Sequence, residues 1–221
     1  MRLAIDIGGT FTDIVLEDNS NLFTKKVLTS TSQPEVAVIE GLVELLQENK
    51  IKSSDIKMII HGTTLATNAV IERKGAKTCF ITTEGFRDVL DIGYESRFDQ
   101  YDILIEKTMS LVPRKHRYVI EERTDINGKI IKPINVQKFQ SLVDTIKKEE
   151  FESVGIGFLH SYANSKNEND LKEFLLKNLP DIEVSISSDV CPEIREYERF
   201  TTTVVNSYIK PLMSRYLKKL D

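Results

Sequence analysis

Hydrophobic and polar positions alternate near the start of the chain. Leu3, Ile5 and Ile7 occupy every second position, and Ile14 and Leu16 resume that period after a short polar break. A period of two marks half-buried strands. The pattern predicts strands over 2–7, 11–17 and 21–28, with Asn19-Ser20-Asn21 as turn chemistry. A helical period follows. Val36, Ile39, Val43 and Leu46 share one face, and Pro34 suits a first helical position, so a helix is predicted over 33–47. Lys57–His61 reads as a buried strand, Thr63–Arg73 as a helix ended by Gly75, and Ala76–Thr82 as a further strand. Strands followed by alternating helix and strand argue for an α/β layer.

The stretch 91–133 lacks a clear period. Within it, Asn127-Gly128 is a hairpin signal between Tyr118-Val119-Ile120 and Ile130-Ile131. Periodicity returns with a helix over 136–148, striped by Val136, Phe139, Val143 and Ile146. A strand over 153–159, a helix over 167–179 stopped by Pro180, and a strand over 183–186 complete what reads as a second small α/β lobe. A long helix is predicted from Glu193 to Leu220, with a kink at Pro211, which has no amide hydrogen to donate.

Composition narrows the classes. The 221 residues suffice for one large domain or two small ones, and 40% hydrophobic content supports a packed core. The net charge of −4 gives no nucleic-acid footprint; the run Arg114-Lys115-His116-Arg117 reads as a solvated loop. Cys79 and Cys191 lie far apart, which argues against a disulfide framework or a zinc site. With no apolar stretch able to span a bilayer and no signal-peptide pattern, a cytoplasmic protein without membrane contact is expected. There is no GxxxxGK[ST] and no GxSxG, and His160 stands where a dinucleotide fingerprint beginning at Gly155 needs its third glycine.

The first break in the alternation carries the strongest candidate chemistry. Gly8 and Gly9, followed by Thr10 and Thr12, form a turn whose amides can approach an anion closely. Asp6 and Asp13 flank it. Carboxylates beside an anion cradle repel the ligand unless a hard cation lies between, which points to a magnesium–nucleotide site. The plainer alternative is a hairpin with a Gly-Gly turn and soluble acids. His61-Gly62-Thr63-Thr64 sits where a strand meets a helix, the place where open α/β sheets bind ligands. Thr63 can cap that helix. His61 can donate to a phosphate or carbonyl oxygen, or can simply be a packed histidine, and Asn68 can pack against the loop. Arg87 and Arg97 are candidates for gripping a carboxylate or carbonyl, although Arg87 with Asp88 can equally be a surface pair. The charges around Glu198 and Arg199 read as solvated or in helix pairs.

Four stretches carry a family resemblance: GGTFTD at 8–13, HGTTLATNAVIERKGA at 61–76, TTEGFRDVLDIG at 82–93 and PEIREYERFTTTVVNSYIKPLMSRYL at 192–217. Together they resemble the N-terminal region of the hydantoinase A/5-oxoprolinase family, and the first resembles a phosphate loop of the actin-like ATPase superfamily. The resemblance implies an α/β fold. The first lobe of an actin-like (ribonuclease H-like) ATPase would occupy 1–92, a small α/β subdomain would be inserted at 93–189, and a long helix over 190–221 would return to the lobe. It also implies an ATP-dependent hydrolase that activates the carbonyl of a hydantoin- or 5-oxoproline-like cyclic amide for ring opening. A ketone carboxylase subunit is the alternative within the family, and a non-catalytic scaffold of the same fold is the alternative outside it.

By the same resemblance, ATP and Mg2+ are the cofactors. Asp6 would hold the metal through water, and Gly8, Gly9, Thr10 and Thr12 would cradle the phosphates. Asp13 would orient the metal or the loop, while His61, Thr63, Thr64 and Arg97, with Arg87 as a further candidate, would face the substrate. A hydantoinase B-type partner subunit and a homo-oligomer are expected. The second phosphate loop and the adenosine pocket are expected beyond Asp221, so residues 1–221 alone are expected to be inactive. Tyr94, Glu95 and Phe98 depart from the family pattern whereas Arg97, Tyr101 and Asp102 fit it, which points to an unusual substrate.

Overall fold

A computed structural model describes residues 1–18, 21–30, 34–94, 99, 101–105 and 108–220. The chain divides into two compact units, Met1–Lys74 with Leu212–Asp221, and Gly75–Pro211.

In the first unit, β1 (Arg2–Ile7), β2 (Phe11–Asp18) and β3 (Asn21–Leu28) form an antiparallel meander. Helix α1 (Pro34–Glu48) then leads to β4 (Met58–Thr63), which pairs parallel with β1 to give the order β3-β2-β1-β4. Helix α2 (Leu65–Ile71) follows. Leu3, Ile5, Ile7, Ile14 and Leu16 point to one face and build a core with Val38, Leu45 and Tyr216.

Two local expectations change here. Of the expected stripe only Leu46 packs, while Val36, Ile39 and Val43 are exposed and the buried side carries Val38, Leu45 and Leu46. The α1 sequence is apolar on both sides, so periodicity alone cannot orient it. Gly41 decides the matter: a Cβ there would come 2.8 Å from Ile14 Cδ1 and 2.9 Å from Val27 Cγ1, so the glycine face is where the helix sits closest to the sheet. Strand β4, expected to be buried, is an edge strand with Met58, Ile59 and Ile60 53%, 63% and 52% exposed.

The second unit begins with β5 (Thr78–Thr83) and the short helix α3 (Val89–Ile92). Then come β6 (Arg117–Ile120), β7 (Arg123–Thr124), β8 (Ile130–Lys132), α4 (Gln140–Lys148), β9 (Ser153–Gly157) and α5 (Lys166–Asn178). Strand β10 (Glu183–Ile186), the unforeseen α6 (Ser187–Val190) and α7 (Glu196–Leu220) complete the chain. The last residues of α7, from Leu212, belong to the first unit.

The main sheet has the order β10-β9-β5-β6, and all its pairings are parallel. Cys79 and Ile81 pack on one face with Val143, Ile146, Leu171 and Leu175. Phe80 packs on the other with Phe200 and Val204. Strand β5 is buried along its whole length, as expected of a central parallel strand covered on both faces.

That pairing revises the expected segmentation. Because β5 lies between β9 and β6, the division falls at 74/75 rather than 92/93. The expected hairpin also changes partners. Strand β6 joins β5 in parallel register, and the residues that pair with β8 are Arg123–Thr124. The Asn127-Gly128 turn itself is present. Asp125 Oδ1 accepts from the amides of Asn127 and Lys129, each at 2.9 Å, and Gly128 takes φ +80°. The helix expected over 136–148 opens with a 3-10 turn at Val136–Phe139.

Candidate functional site

The turn between β1 and β2 is closed by Gly8 N–H donating to Phe11 O at 2.9 Å. Among the described residues, the amides of Gly9 and Thr10 donate to no backbone carbonyl, and both residues are exposed. Neither glycine has positive φ, so any need for glycine here is one of space, and it is firm at Gly8, where the neighbour is backbone. A Cβ on Gly8 would lie 2.9 Å from Phe11 O, and one on Gly9 would lie 2.9 Å from Asn68 Nδ2. The turn therefore presents two exposed amides with no backbone acceptor, an arrangement that suits an anion. Thr10 is anchored from behind by Thr29 N–H donating to its carbonyl at 2.9 Å. Thr12 is fully buried, and its hydroxyl shares a 2.9 Å hydrogen bond with Thr29. It props the loop from beneath instead of lining the open cradle.

Asp6 and Asp13 stand opposite each other in the β1–β2 register. They alternate with the core residues Ile5, Ile7, Thr12 and Ile14, so both lie on the open face of the sheet. Lys26 bridges Asp13 at 2.9 Å. Gly62 pairs with Asp6 in the parallel register, and a Cβ there would come 3.3 Å from Asp6 Oδ1. Among the described residues no cluster of three or more His, Cys, Asp or Glu side chains could hold a metal. The site thus offers two neighbouring carboxylates on the open face, one of them held by Lys26.

His61 lies on the opposite, covered face. Its Nε2 is 2.6 Å from the Tyr216 hydroxyl, and the two rings stack at 5.6 Å. Burial lowers its pKa, against a smaller opposing pull from Asp6. In this structure its ring packs against Tyr216. Thr63 Oγ1 accepts from Leu65 N–H at 3.1 Å and donates to Ile7 O at 3.3 Å, tying the end of β1 to the start of α2. Thr64 is exposed and accepts from Asn68 Nδ2 at 3.3 Å. Behind the glycine turn opens a cavity of about 300 Å³, with Gly8, Gly9, Leu65, Asn68, Lys74 and Leu212 in its wall.

Asp6, Gly8, Gly9, Thr10, Asp13, His61, Thr63 and Thr64 thus gather at one end of the first unit's sheet. Arg87 belongs to the second unit. Its Nη2 donates to Arg114 O at 3.1 Å, and its buried Nε has no partner among the described residues. Asp88 pairs instead with Arg114, at 2.7 and 3.1 Å. Arg97 lies outside the described residues.

Sequence reasoning missed a buried polar cluster at the C-terminal ends of the second unit's strands; one of its members, Arg199, expected to be solvated or in a helix pair, is buried and also pairs with Glu196 one turn back at 3.5 Å. Glu122 accepts from the Thr83 hydroxyl and, at 2.7 Å, from Asn167 Nδ2. Glu168 accepts from Phe158 N–H at 2.9 Å, Ser187 Oγ at 2.6 Å, Ser188 N–H at 2.9 Å and Ser188 Oγ at 2.7 Å. Arg199 is fully buried and donates to Ser187 Oγ at 3.2 Å, to Phe158 O at 3.1 Å and to Glu193 O. Open α/β sheets bind ligands at this end. Here protein side chains fill it and satisfy one another, so the cluster is framework. The missed signal was the spacing of Ser187-Ser188 and Arg199 around an acid-bearing helix, which becomes meaningful only once the strands are aligned.

Residues 2–179 match the family model described as the hydantoinase/oxoprolinase N-terminal region. The chain is 41% identical over 98% of its length to an uncharacterized protein of Methanocaldococcus jannaschii, covering 32% of it. It is 33% identical over its whole length to the caprolactamase alpha subunit of Pseudomonas jessenii, covering 33% of that chain. The crystal structure of the ATP-dependent caprolactamase from the same organism superimposes with a TM-score of 0.89 over the whole chain. Similarity to 5-oxoprolinase 1 of Arabidopsis thaliana is 30% over 98% of the chain and 19% of that protein. The chain thus spans a third or less of the relatives it matches.

Proposed function

Since the chain belongs to the hydantoinase/oxoprolinase family, as its N-terminal region, we propose that it forms the nucleotide-phosphate side of an ATP-dependent enzyme that activates a cyclic-amide carbonyl for ring opening. The observation that carries this reading is the exposed turn at Gly8–Thr10, with two free amides beside the adjacent carboxylates of Asp6 and Asp13. Relatives whose names state an activity include an ATP-dependent caprolactamase, a 5-oxoprolinase and an acetophenone carboxylase gamma subunit.

The first unit is then the first lobe of an actin-like ATPase, and the second is an α/β subdomain inserted between α2 and the end of α7. Gly9 and Thr10 amides hold phosphate oxygens, and Thr12 and Thr29 keep the loop rigid from beneath. Asp6, with Asp13, orients the water shell of Mg2+, while Lys26 tempers the carboxylate charge. Bound Mg-ATP supplies a phosphoryl group that makes an amide carbonyl reactive. The chain's own contribution is positioning and charge neutralisation, the main levers in phosphoryl transfer. His61, neutral by burial and paired with Tyr216, holds the strand end in place. A B-type subunit would complete ring opening. A ketone carboxylase would use the same phosphate site and differ in the substrate cavity.

The test uses the native full-length polypeptide with its partner subunit. ATP hydrolysis is measured with ε-caprolactam, 5-oxoproline, hydantoin and acetone. Stimulation by a cyclic amide and its loss in Asp6→Ala, with an unchanged circular dichroism spectrum, are the expected results. Turnover retained by Asp6→Ala would remove Asp6 from the metal role, and stimulation by acetone alone would select the carboxylase.

A further inference from the structure

We infer that Asn68 is the residue that selects a secondary cyclic amide, and that the cavity behind the glycine turn is where the ring sits. The inference rests on the functional reading above and adds to it a residue and a rule of selection.

Three observations converge. First, the cavity shares Gly8 and Gly9 with the anion cradle, so a group seated there lies next to the phosphate donor, as the transfer requires. Second, its size and floor suit a small ring. About 300 Å³ is at the low end of ligand pockets, and Ile7, Leu65, Ala69 and Leu212 contribute apolar surface. The ionic groups in its wall, Glu72 and Lys74, pair with each other at 2.7 Å and are largely exposed, so the interior presents no unpaired charge to its occupant. Third, among the described residues Asn68 is the only side-chain amide in that wall. Its Nδ2 abuts the turn, where a Cβ on Gly9 would come 2.9 Å away, and makes only a long 3.3 Å bond to Thr64 Oγ1. Among the described residues its Oδ1 accepts from none.

The chemistry follows from the inventory of donors and acceptors. A small ring locks its amide in the cis form, which sets N–H and C=O side by side on one edge. A carboxamide side chain offers the complementary edge, Oδ1 to accept and Nδ2 to donate. Two parallel hydrogen bonds would form, and they would also fix which way the carbonyl faces the turn. A ketone or an N-alkylated lactam satisfies Nδ2 but offers Oδ1 no donor. A site built to hydrogen-bond a group rejects the analogue lacking it more strongly than an apolar pocket rejects a change of size.

The probes are 2-pyrrolidinone, ε-caprolactam, N-methylpyrrolidinone and cyclohexanone, titrated without nucleotide into the 15N-labelled chain. Amide and Asn side-chain NH2 resonances are followed. We expect the two secondary lactams to shift Gly9, Leu65 and the Asn68 side chain. They should bind roughly tenfold more tightly than N-methylpyrrolidinone or cyclohexanone, the worth of one net hydrogen bond. Asn68→Leu should abolish that preference while keeping cyclohexanone binding, an outcome that general damage to the fold would not give. Equal binding of lactam and N-methyl lactam to the unaltered chain, no lactam shifts at Gly9 and Asn68, or selectivity that survives Asn68→Leu would each overturn the inference. These outcomes are independent of ATP turnover in Asp6→Ala, so the selection rule can fail while the phosphate site stands, and the reverse.

Discussion

Replacing Arg199 by Met should destabilise the second unit by about 3–5 kcal/mol. The guanidinium is fully buried and donates to Ser187 Oγ, Phe158 O and Glu193 O. The Ser187 hydroxyl has one proton, and the carboxylate of Glu168 at 2.6 Å takes it. Ser161, 2.9 Å away, therefore donates to Ser187. Arg199 thus pairs with Glu196 at 3.5 Å and reaches the fully buried Glu168 through the Ser187 hydroxyl.

Methionine fills much of the same volume, so little of the loss is cavity. What remains is an uncompensated buried carboxylate and two carbonyls short of a donor. Removing one member of a buried charge pair costs about 3–5 kcal/mol even where the intact pair adds little net stability. Whole-domain stabilities are about 5–15 kcal/mol, so the variant should melt roughly 10 °C or more below the parent. Urea unfolding followed by far-ultraviolet circular dichroism gives the free energy. Hydrogen exchange at the β5 and β9 amides assigns it to the second unit. The double variant with Glu168→Gln should recover at least about 1 kcal/mol relative to the sum of the singles. A loss below about 1 kcal/mol, or strict additivity in the cycle, would refute the charge-balance account.

Three further outcomes are expected. Gly8→Ala should cost about 1–3 kcal/mol, because its Cβ would meet the Phe11 carbonyl, which as backbone cannot step aside; an unchanged urea midpoint would contradict this. His61 and His116 both have pKa values lowered from 6.5, chiefly by burial and, at His116, also by Lys115 and Lys77. The folded state therefore binds fewer protons than the unfolded one, and stability is complete above 6.5 and falls as pH drops below it. Replacing both histidines by Gln should flatten the melting temperature between pH 7.5 and 5.5 relative to the parent, and an identical slope would count against the assignment. Glu122 has the opposite sign. Burial, aided by Glu168 and opposed by Thr83 and Asn167, raises its pKa from 4.5, so its contribution is complete below 4.5 and is lost as pH rises through the folded value. Glu122→Gln should therefore gain on the parent as pH rises from 4 to 8 in calorimetric scans; a constant or shrinking difference would show that the carboxylate is well solvated.

The sequence by itself determined the local elements and the turn. The alternation of Leu3, Ile5, Ile7, Ile14 and Leu16 located β1 and β2 to within a residue, and Gly8-Gly9 between them marked the loop that stands open in the fold. Both follow from short windows, because strand period and turn chemistry are properties of neighbouring residues. The placement of Asp6 and Asp13 on one face was likewise implicit in that period.

Tertiary structure alone decided which surfaces meet. Periodicity could not choose between two apolar sides of α1, and Gly41 against Ile14 and Val27 did. Strand β5 resembles β4 in composition, yet it became a central strand of the second sheet while β4 stayed at the edge of the first. His61 became a packed residue because Tyr216, 155 positions away, reached its ring. Arg199, read locally as solvated or in a helix pair, keeps its pair with Glu196 but was taken inside because Ser187 and the Phe158 and Glu193 carbonyls together supply acceptors for it. Each of these outcomes rests on partners distant in sequence. Burial is a property of the assembled chain, and a charged or apolar residue goes inward only where packing brings it a partner.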